Sequence, residues 1–329
     1  LKARLFDASG FGSKQATKEF IKKIDEFKPD IIHLHNIHGY YVNIEILFKY
    51  LKDHSEIKKI WTLHDCWAFT GHCAYYTYAK CNKWQTCCNG YCPNKNEYPK
   101  TIFSKIESNF NKKRKVFCGV ENMILVTPSK WLKGEVEKSY LKSYQTKVIN
   151  NGVDINVFKY TESDIKERYD IKNKRVILGV ASVWDKRKGL DTFIELSKKL
   201  DYEYKIILIG LSKKQIKNLP VNIIGINRTE NVQELVKWYS VANVFLNPTL
   251  EDNYPTVNIE AVACGTPVVT YNTGGSPESA GNERIVVEKG DLYAIISAIK
   301  KIHSVKNGDM TKVDNLVLFN KYLKYYEKD

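Results

Sequence analysis

The chain has 329 residues, with 51 Lys and Arg against 37 Asp and Glu, a formal charge of +14. Its 43% hydrophobic and 27% charged content excludes a disordered chain, and 18 Gly with 9 Pro exclude collagen-like or linker-like sequence. The length predicts two domains with sizeable cores, and no apolar run reaches the roughly 18–20 residues that span a bilayer. Leu1-Lys2-Ala3-Arg4 lacks the apolar core of a signal peptide, so nothing here argues for export. The charge is uneven: residues 1–152 hold 25 Lys and Arg against 14 Asp and Glu, and the remainder 26 against 23. A basic first half suits an anionic partner such as a membrane surface, a phosphorylated lipid or nucleic acid; a Lys-rich solvated surface is the plainer reading.

In chain order, apolar residues at helical spacing predict a helix over Lys14–Phe27, stopped by Pro29, then a buried strand over Asp30–Leu34. A helix over 43–51 and a strand over 59–63 follow. Residues 66–99 form an excursion rich in Cys and aromatic residues. Beyond it a helix near 101–117, a strand over 122–126, a helix over 130–139 and a strand over 147–149 complete the first half. Asn150-Asn151-Gly152 is a turn signal between two halves. The second half alternates again, with strands at 175–183, 204–209, 221–224, 244–246 and 267–270 and helices at 189–200, 231–241 and 255–263. Such alternation gives right-handed βαβ units and parallel sheets. The expected architecture is α/β, two Rossmann-type domains (1–152 and 153–329) facing a cleft, with ligands beyond the carboxyl ends of the strands.

The most informative stretch is NPTLEDNYPTVNIEAVACGTPVVTYNTGGSPE, residues 247–278. It opens where a strand ends, offers Glu251 and Asp252, passes through Tyr254 and Pro255, and enters a helix carrying Glu260. The amides of Thr256, Val257 and Asn258 at that helix start would suit a diphosphate, and the carboxylates would suit sugar and ribose hydroxyls. A second Gly-rich turn, 273–278, follows the next strand.

This pattern resembles the paired-acid signature of retaining glycosyltransferases of family 4, which have the GT-B fold. DIIHLHN at 30–36, TLHDCWAFTGHC at 62–73, TPSKWL at 127–132, NNGVD at 150–154 and RKGLDTFIEL at 187–196 are similar to that family's landmarks in the same order. Within it, the chain is most similar to bacterial enzymes of capsule, exopolysaccharide and O-antigen assembly. The resemblance implies a nucleotide-sugar donor and a lipid-linked glycan acceptor, with no catalytic metal and no nucleic acid. It places the protein in the cytoplasm, peripheral on the inner face of the membrane. Glu251 or Asp252 would touch the donor sugar and Glu260 the ribose; Asp252 fits the family spacing and Glu251 the residue type. Lys188, with Arg187 beside it, would neutralise the leaving diphosphate. The family often carries an Arg about six residues before the Gly of that motif, where this chain has Val183. His64 matches a family histidine near the donor sugar. A strand and glycine-rich loop that usually open the fold have no counterpart before Lys14, so the first βαβ portion is expected to be missing. The last helix would pack back on the first domain. The second reading is a shortened, non-catalytic protein that binds a nucleotide sugar or a partner.

Two clusters stand apart. His33, His35 and His38 read either as a metal site or, as the resemblance favours, as an HxH strand end under the cleft. Cys73, Cys81, Cys88 and Cys92, with Cys66, Cys87 and His72 nearby, admit a structural Zn²⁺, free thiols or disulfides; without a secretory signal zinc leads. The aromatic residues around them could stack on acceptor sugars, meet a membrane interface or pack the loop down.

Overall fold

The four strands of the first half pair side by side in a computed structural model of the chain, which describes residues 2–282, 284–302 and 311–327. β1 (Ile31–His35), β2 (Lys58–Thr62), β3 (Met123–Thr127) and β4 (Gln145–Val148) form a parallel sheet in sequential order. Around it run α1 (Lys2–Leu5), α2 (Lys14–Phe27), α3 (Ile44–Asp53), α4 (Ile106–Phe117) and α5 (Lys130–Glu137). Helix starts follow the sequence signals: Asn43 accepts the Ile46 N–H at 3.1 Å to cap α3, and Ser129 accepts the Leu132 N–H at 3.0 Å to cap α5. Rings of Phe48, Trp61 and Phe117, with centroids 4.6–5.3 Å apart, lock α3, β2 and α4 together.

The predicted helix near 101–117 starts only at Ile106. Before it, the amides of Ile102 and Phe103 donate to the Arg4 and Leu5 carbonyls, and the Lys105 N–H donates to Asp7 at 3.0 Å. Tertiary hydrogen bonding to the N-terminal segment there outcompetes helix propagation. Residues 66–99 hold only 3₁₀ turns at Trp67–Phe69 and Lys83–Gln85. Trp67, Phe69, Tyr76 and Trp84 are buried in the core of this unit, while Tyr78 and Tyr91 are exposed. The four buried rings hold the loop down, because the segment has no sheet or long helix of its own.

Among its described residues the second half carries six parallel strands: β5 (Arg175–Val180), β6 (Tyr204–Ile209), β7 (Ile223–Ile226), β8 (Val244–Asn247), β9 (Val268–Tyr271) and β10 (Ile285–Val287). Their order is β10-β9-β8-β5-β6-β7. Helices α6 (Ile165–Arg168), α7 (Leu190–Ser197), α8 (Lys213–Lys217), α9 (Val232–Val241), α10 (Thr256–Ala263), α11 (Ser276–Ser279), α12 (Leu292–Lys301) and α13 (Asn315–Tyr326) accompany them. β8 and β9 are buried at every residue, as apolar strands covered on both faces must be. β10 and α12 go beyond the elements that the sequence pattern predicts. The chain folds into two units, residues 1–150 and 151–329, each with its own sheet. α13 belongs to the second unit, where the Asn315 N–H donates to the Val153 carbonyl at 2.9 Å.

Candidate active site

In the second sheet the winding runs one way from β5 through β7, then returns to the other side of β5 for β8 through β10. The reversal falls between β5 and β8, and the loops leaving their carboxyl ends diverge into a crevice where ligands of open α/β sheets bind. Those two loops carry Lys186–Lys188 and Thr249–Asp252.

They are built to hold each other. Asp185 accepts the Lys188 N–H at 3.1 Å and caps the 3₁₀ turn Lys186–Lys188. Gly189 closes it at φ +75°, where a Cβ would overlap the Pro248 carbonyl oxygen, so the close approach of the loops requires glycine. The Leu250 N–H donates to the Arg187 carbonyl at 2.8 Å. Across this seam Lys188 Nζ lies 2.6 Å from Asp252 Oδ2, with side chains only 19% and 11% exposed. Asp252 Oδ1 accepts the Asn253 N–H at 2.9 Å. Arg187 points its Nη1 at the Glu251 carbonyl (3.4 Å), and its Nε lies 3.9 Å from Asp185. The turn after β9 closes the other side: the Gly275 N–H donates to the Asp252 carbonyl at 3.1 Å, and Thr273 Oγ1 donates to the Leu250 carbonyl at 3.1 Å. Gly274, at φ +53°, has no room for a Cβ against that same Asp252 carbonyl.

The Lys188–Asp252 pair joins a candidate cation to one of the two candidate carboxylates. Glu251 is buried beside them and offers Arg187 its backbone oxygen. Glu260 lies on α10, where Tyr239 Oη donates to its Oε2 at 2.7 Å. Burial raises the Glu260 carboxyl above its ordinary range, partly countered by the Tyr239 hydrogen bond. Tyr239 is a partner that the sequence pattern does not reveal; it sits on α9 among apolar residues that read simply as core.

Pro255 stands at the N-cap of α10, with no side-chain cap. The Asn258 N–H already donates to the Pro255 carbonyl at 3.3 Å, and its side chain is consumed structurally. It accepts from Asn247 Nδ2 at 2.8 Å and donates to Ser279 Oγ at 3.0 Å, pinning β8, α10 and α11. Tyr254 is half-buried against Val153, Ile259 and Ala263; burial, then Glu278, raises its hydroxyl pKa. Thr256 is exposed and Val257 half-buried at the helix start.

In the first unit, His64 follows β2 and its Nε2 lies 2.9 Å from His35 Nδ1, while the His33 and His35 rings lie 4.2 Å apart, tilted by 38°. Alternation on β1 therefore does put both on one face. Burial, then the neighbouring imidazoles, lowers His33 and His64 to about 4, so both are neutral near pH 7. His38 turns away to Asp65, 3.3 Å from its carboxylate. Cys73, Cys81, Cys88 and Cys92 line one small cavity together with His72. All eight cysteines are thiols. Among the described residues no three His, Cys, Asp or Glu stand at metal-binding spacing, in the histidine cluster or in the Cys-rich loop.

Residues 174–304 match the family described as glycosyl transferases group 1. The chain is 24% identical over 283 residues to the putative colanic acid biosynthesis glycosyl transferase WcaC of Escherichia coli (strain K12), covering 84% of this chain and 67% of that protein. It is 27% identical over 165 residues to the capsular polysaccharide biosynthesis glycosyltransferase CapM of Staphylococcus aureus, covering 46% of this chain and 43% of that one. The structure of Anabaena Alr3699/HepE in complex with UDP superposes with a TM-score of 0.67 at 14% identity, covering 94% of this chain and 81% of that chain. The fold is GT-B, as the resemblance implies, and the chain is similar to glycosyltransferases, among them enzymes of capsule and colanic acid synthesis.

Proposed function

We propose that the protein moves a sugar from a nucleotide-sugar donor, with retention of configuration, to a lipid-linked glycan during bacterial surface polysaccharide synthesis. The observation that carries the reading is the Lys188–Asp252 pair at the point where the strand order of the second sheet reverses. A nucleoside diphosphate leaving the anomeric carbon develops charge on its β-phosphate oxygens. Lys188 and Arg187 are fixed cations for that charge, and the first amides of α10 add partial positive charge. Asp252 is assigned as the carboxylate that places Lys188 and meets the donor sugar, with Glu251 beside it. Glu260, held by Tyr239, is assigned to the ribose hydroxyls.

In the step itself the bond from the anomeric carbon to the phosphate oxygen breaks, and the acceptor hydroxyl bonds that carbon on the face being vacated. The acceptor proton leaves with the diphosphate, and no protein carboxylate forms a covalent intermediate, unlike retaining hydrolases. His64, neutral, serves the donor sugar as a hydrogen-bonding group. The UDP held by HepE supports a uridine nucleotide as the first donor to try.

No described helix is long and apolar enough to cross a membrane. The basic first half, with Phe20 and Phe27 exposed on the lysine-rich α2, supports peripheral binding to an anionic inner-leaflet surface. A structural Zn²⁺ in the Cys-rich loop belongs to the same reading. The test is a thermal-shift screen against UDP-, GDP- and ADP-sugars, followed by hydrolysis and transfer assays with the stabilising donor and NMR of the product anomer. Binding without turnover would leave a non-catalytic nucleotide-sugar protein; an inverted product would refute retention.

A further inference from the structure

The amino end of the second sheet holds a cavity that the crevice at the carboxyl end does not use. It measures about 360 Å³, within the roughly 300–1,000 Å³ of small-molecule sites. Asn243 lines it where β5 and β8 begin: its N–H donates to the Val176 carbonyl at 2.9 Å, and its Oδ1 accepts the Val176 N–H at 2.8 Å. Lys188 and Asp252 follow the other ends of those strands. The six residues of β5, at about 3.3 Å each, put roughly 20 Å between the two places.

The walls are fixed in advance. One is the last turn of α9 with Ala242, and the other is the segment 160–166. The Thr161 N–H donates to Ser240 Oγ at 3.0 Å, and that hydroxyl donates to the Val236 carbonyl at 2.8 Å, which ties the segment to α9. Ile165 is fully buried in one cluster with Val236 and Trp238. Lys166 Nζ lies 3.3 Å from the Lys174 carbonyl. A site already built loses little freedom when it is filled.

The lining also selects its occupant. The carboxyl end of α9 presents carbonyls and the negative end of the helix dipole, and Glu162 is exposed beside it, so phosphates and carboxylates are disfavoured. The Lys166 ammonium disfavours a metal ion. A neutral ligand that donates to carbonyls and accepts from N–H and O–H groups meets neither obstacle. The Asn243 oxygen is committed to Val176, which leaves its NH₂ as the donor for an occupant. Ser163 Oγ is buried without a hydrogen-bond partner, and a change of its one side-chain torsion lets it serve a ligand. The Tyr160 ring, 37% exposed, adds an apolar face. Hydroxyls that both donate and accept, set on a ring with an apolar C–H face, describe a sugar.

We infer that this cavity binds one neutral pyranose unit, at a place separate from the transfer site. A free sugar and one unit of a glycan chain share that chemistry.

The test is saturation-transfer difference NMR with titration on the whole chain. The probes are the methyl α-glycosides of glucose, galactose and mannose and, for the sugar that binds, a linear oligosaccharide of it. At least one glycoside should bind, and Tyr160→Ala and Ser163→Ala should each weaken it about 3- to 10-fold. Ser163→Ala removes an unpaired hydroxyl, so it should melt at or above the unmodified protein; weaker binding there is not loss of fold. Tighter binding of the oligosaccharide supports a glycan chain as the source, and equal binding a free sugar. No saturation transfer to any of the three glycosides overturns the site. So does binding that both variants leave unchanged, or glucose 1-phosphate binding more tightly than methyl glucoside. Binding is read without donor or turnover, so failure of the transferase reading shows separately, in the donor assays.

Discussion

Replacing Lys188 by Met removes a cation while keeping most of the side chain's bulk. The 2.6 Å pair with Asp252, both side chains more than four-fifths buried, makes two consequences separable. First, the leaving diphosphate loses a fixed positive charge, worth about 2–4 kcal/mol of transition-state stabilisation, or about 30- to 1,000-fold in kcat/KM. Second, Asp252 is left as a sequestered carboxylate without its cation, which costs about 1–3 kcal/mol of stability and repels the donor phosphates. The double variant Lys188→Met/Asp252→Asn removes that stray anion, so it should recover much of the lost melting temperature and of the affinity for the nucleotide without its sugar. It should not recover kcat. The assay is nucleoside diphosphate release at saturating acceptor, well below the melting temperature, alongside isothermal titration with the nucleotide. Lys188→Met with kcat/KM within threefold of the unmodified protein and unaltered nucleotide binding would refute the assignment. Full recovery of kcat in the double variant would show that Lys188 matters only as a partner for Asp252.

Gly189→Ala should destabilise the second unit by about 1–3 kcal/mol in urea unfolding, because φ +75° and the overlap with the Pro248 carbonyl oxygen both oppose a Cβ; an unchanged midpoint would mean that the loops do not meet so closely. Glu260→Ala should cost about 2–4 kcal/mol in kcat/KM; rates like those of the unmodified protein would show the assignment to be misplaced. Because burial raises the Glu260 carboxyl, the ionised form is penalised in the folded protein, and the penalty is relieved as pH falls through the folded pKa. Glu260→Gln should therefore melt at or above the unmodified protein at pH 8, the difference shrinking toward pH 5; a lower melting temperature at pH 8 contradicts this. His33 and His64 titrate near 4 when folded against about 6.5 when unfolded, so the unfolded chain takes up protons first as pH falls. Their contribution to stability is present above about pH 6.5 and lost progressively toward pH 4. A His33→Gln/His64→Gln variant should flatten that part of the stability profile, and an unaltered slope would mean that the two imidazoles are not held neutral.

Strands β5 to β9 of the second sheet are legible in the sequence because they are apolar runs separated by helices of ordinary length, and the Asp252–Glu260 spacing survives as a linear motif; the three-residue β10 is too short to stand out. What joins Lys188 to Asp252 is not legible: the two residues are 64 positions apart, and only the reversal of strand order between β5 and β8 makes them neighbours. The same holds for Tyr239 and Glu260, brought together by two helices whose sequences show only that each has a buried side. The helix start near 101 is misplaced for a related reason, since local periodicity carries no record of the Arg4 and Leu5 carbonyls that hold Ile102 and Phe103 out of it. In the Cys-rich loop, sequence spacing identifies four thiols but is blind to Asp7, which lies 65 residues before His72 and meets that imidazole at 2.6 Å. Chemistry that depends on one residue can be read from sequence. Chemistry that depends on which partner orients that residue requires the fold, as the Asp7 carboxylate beside the buried His72 imidazole shows.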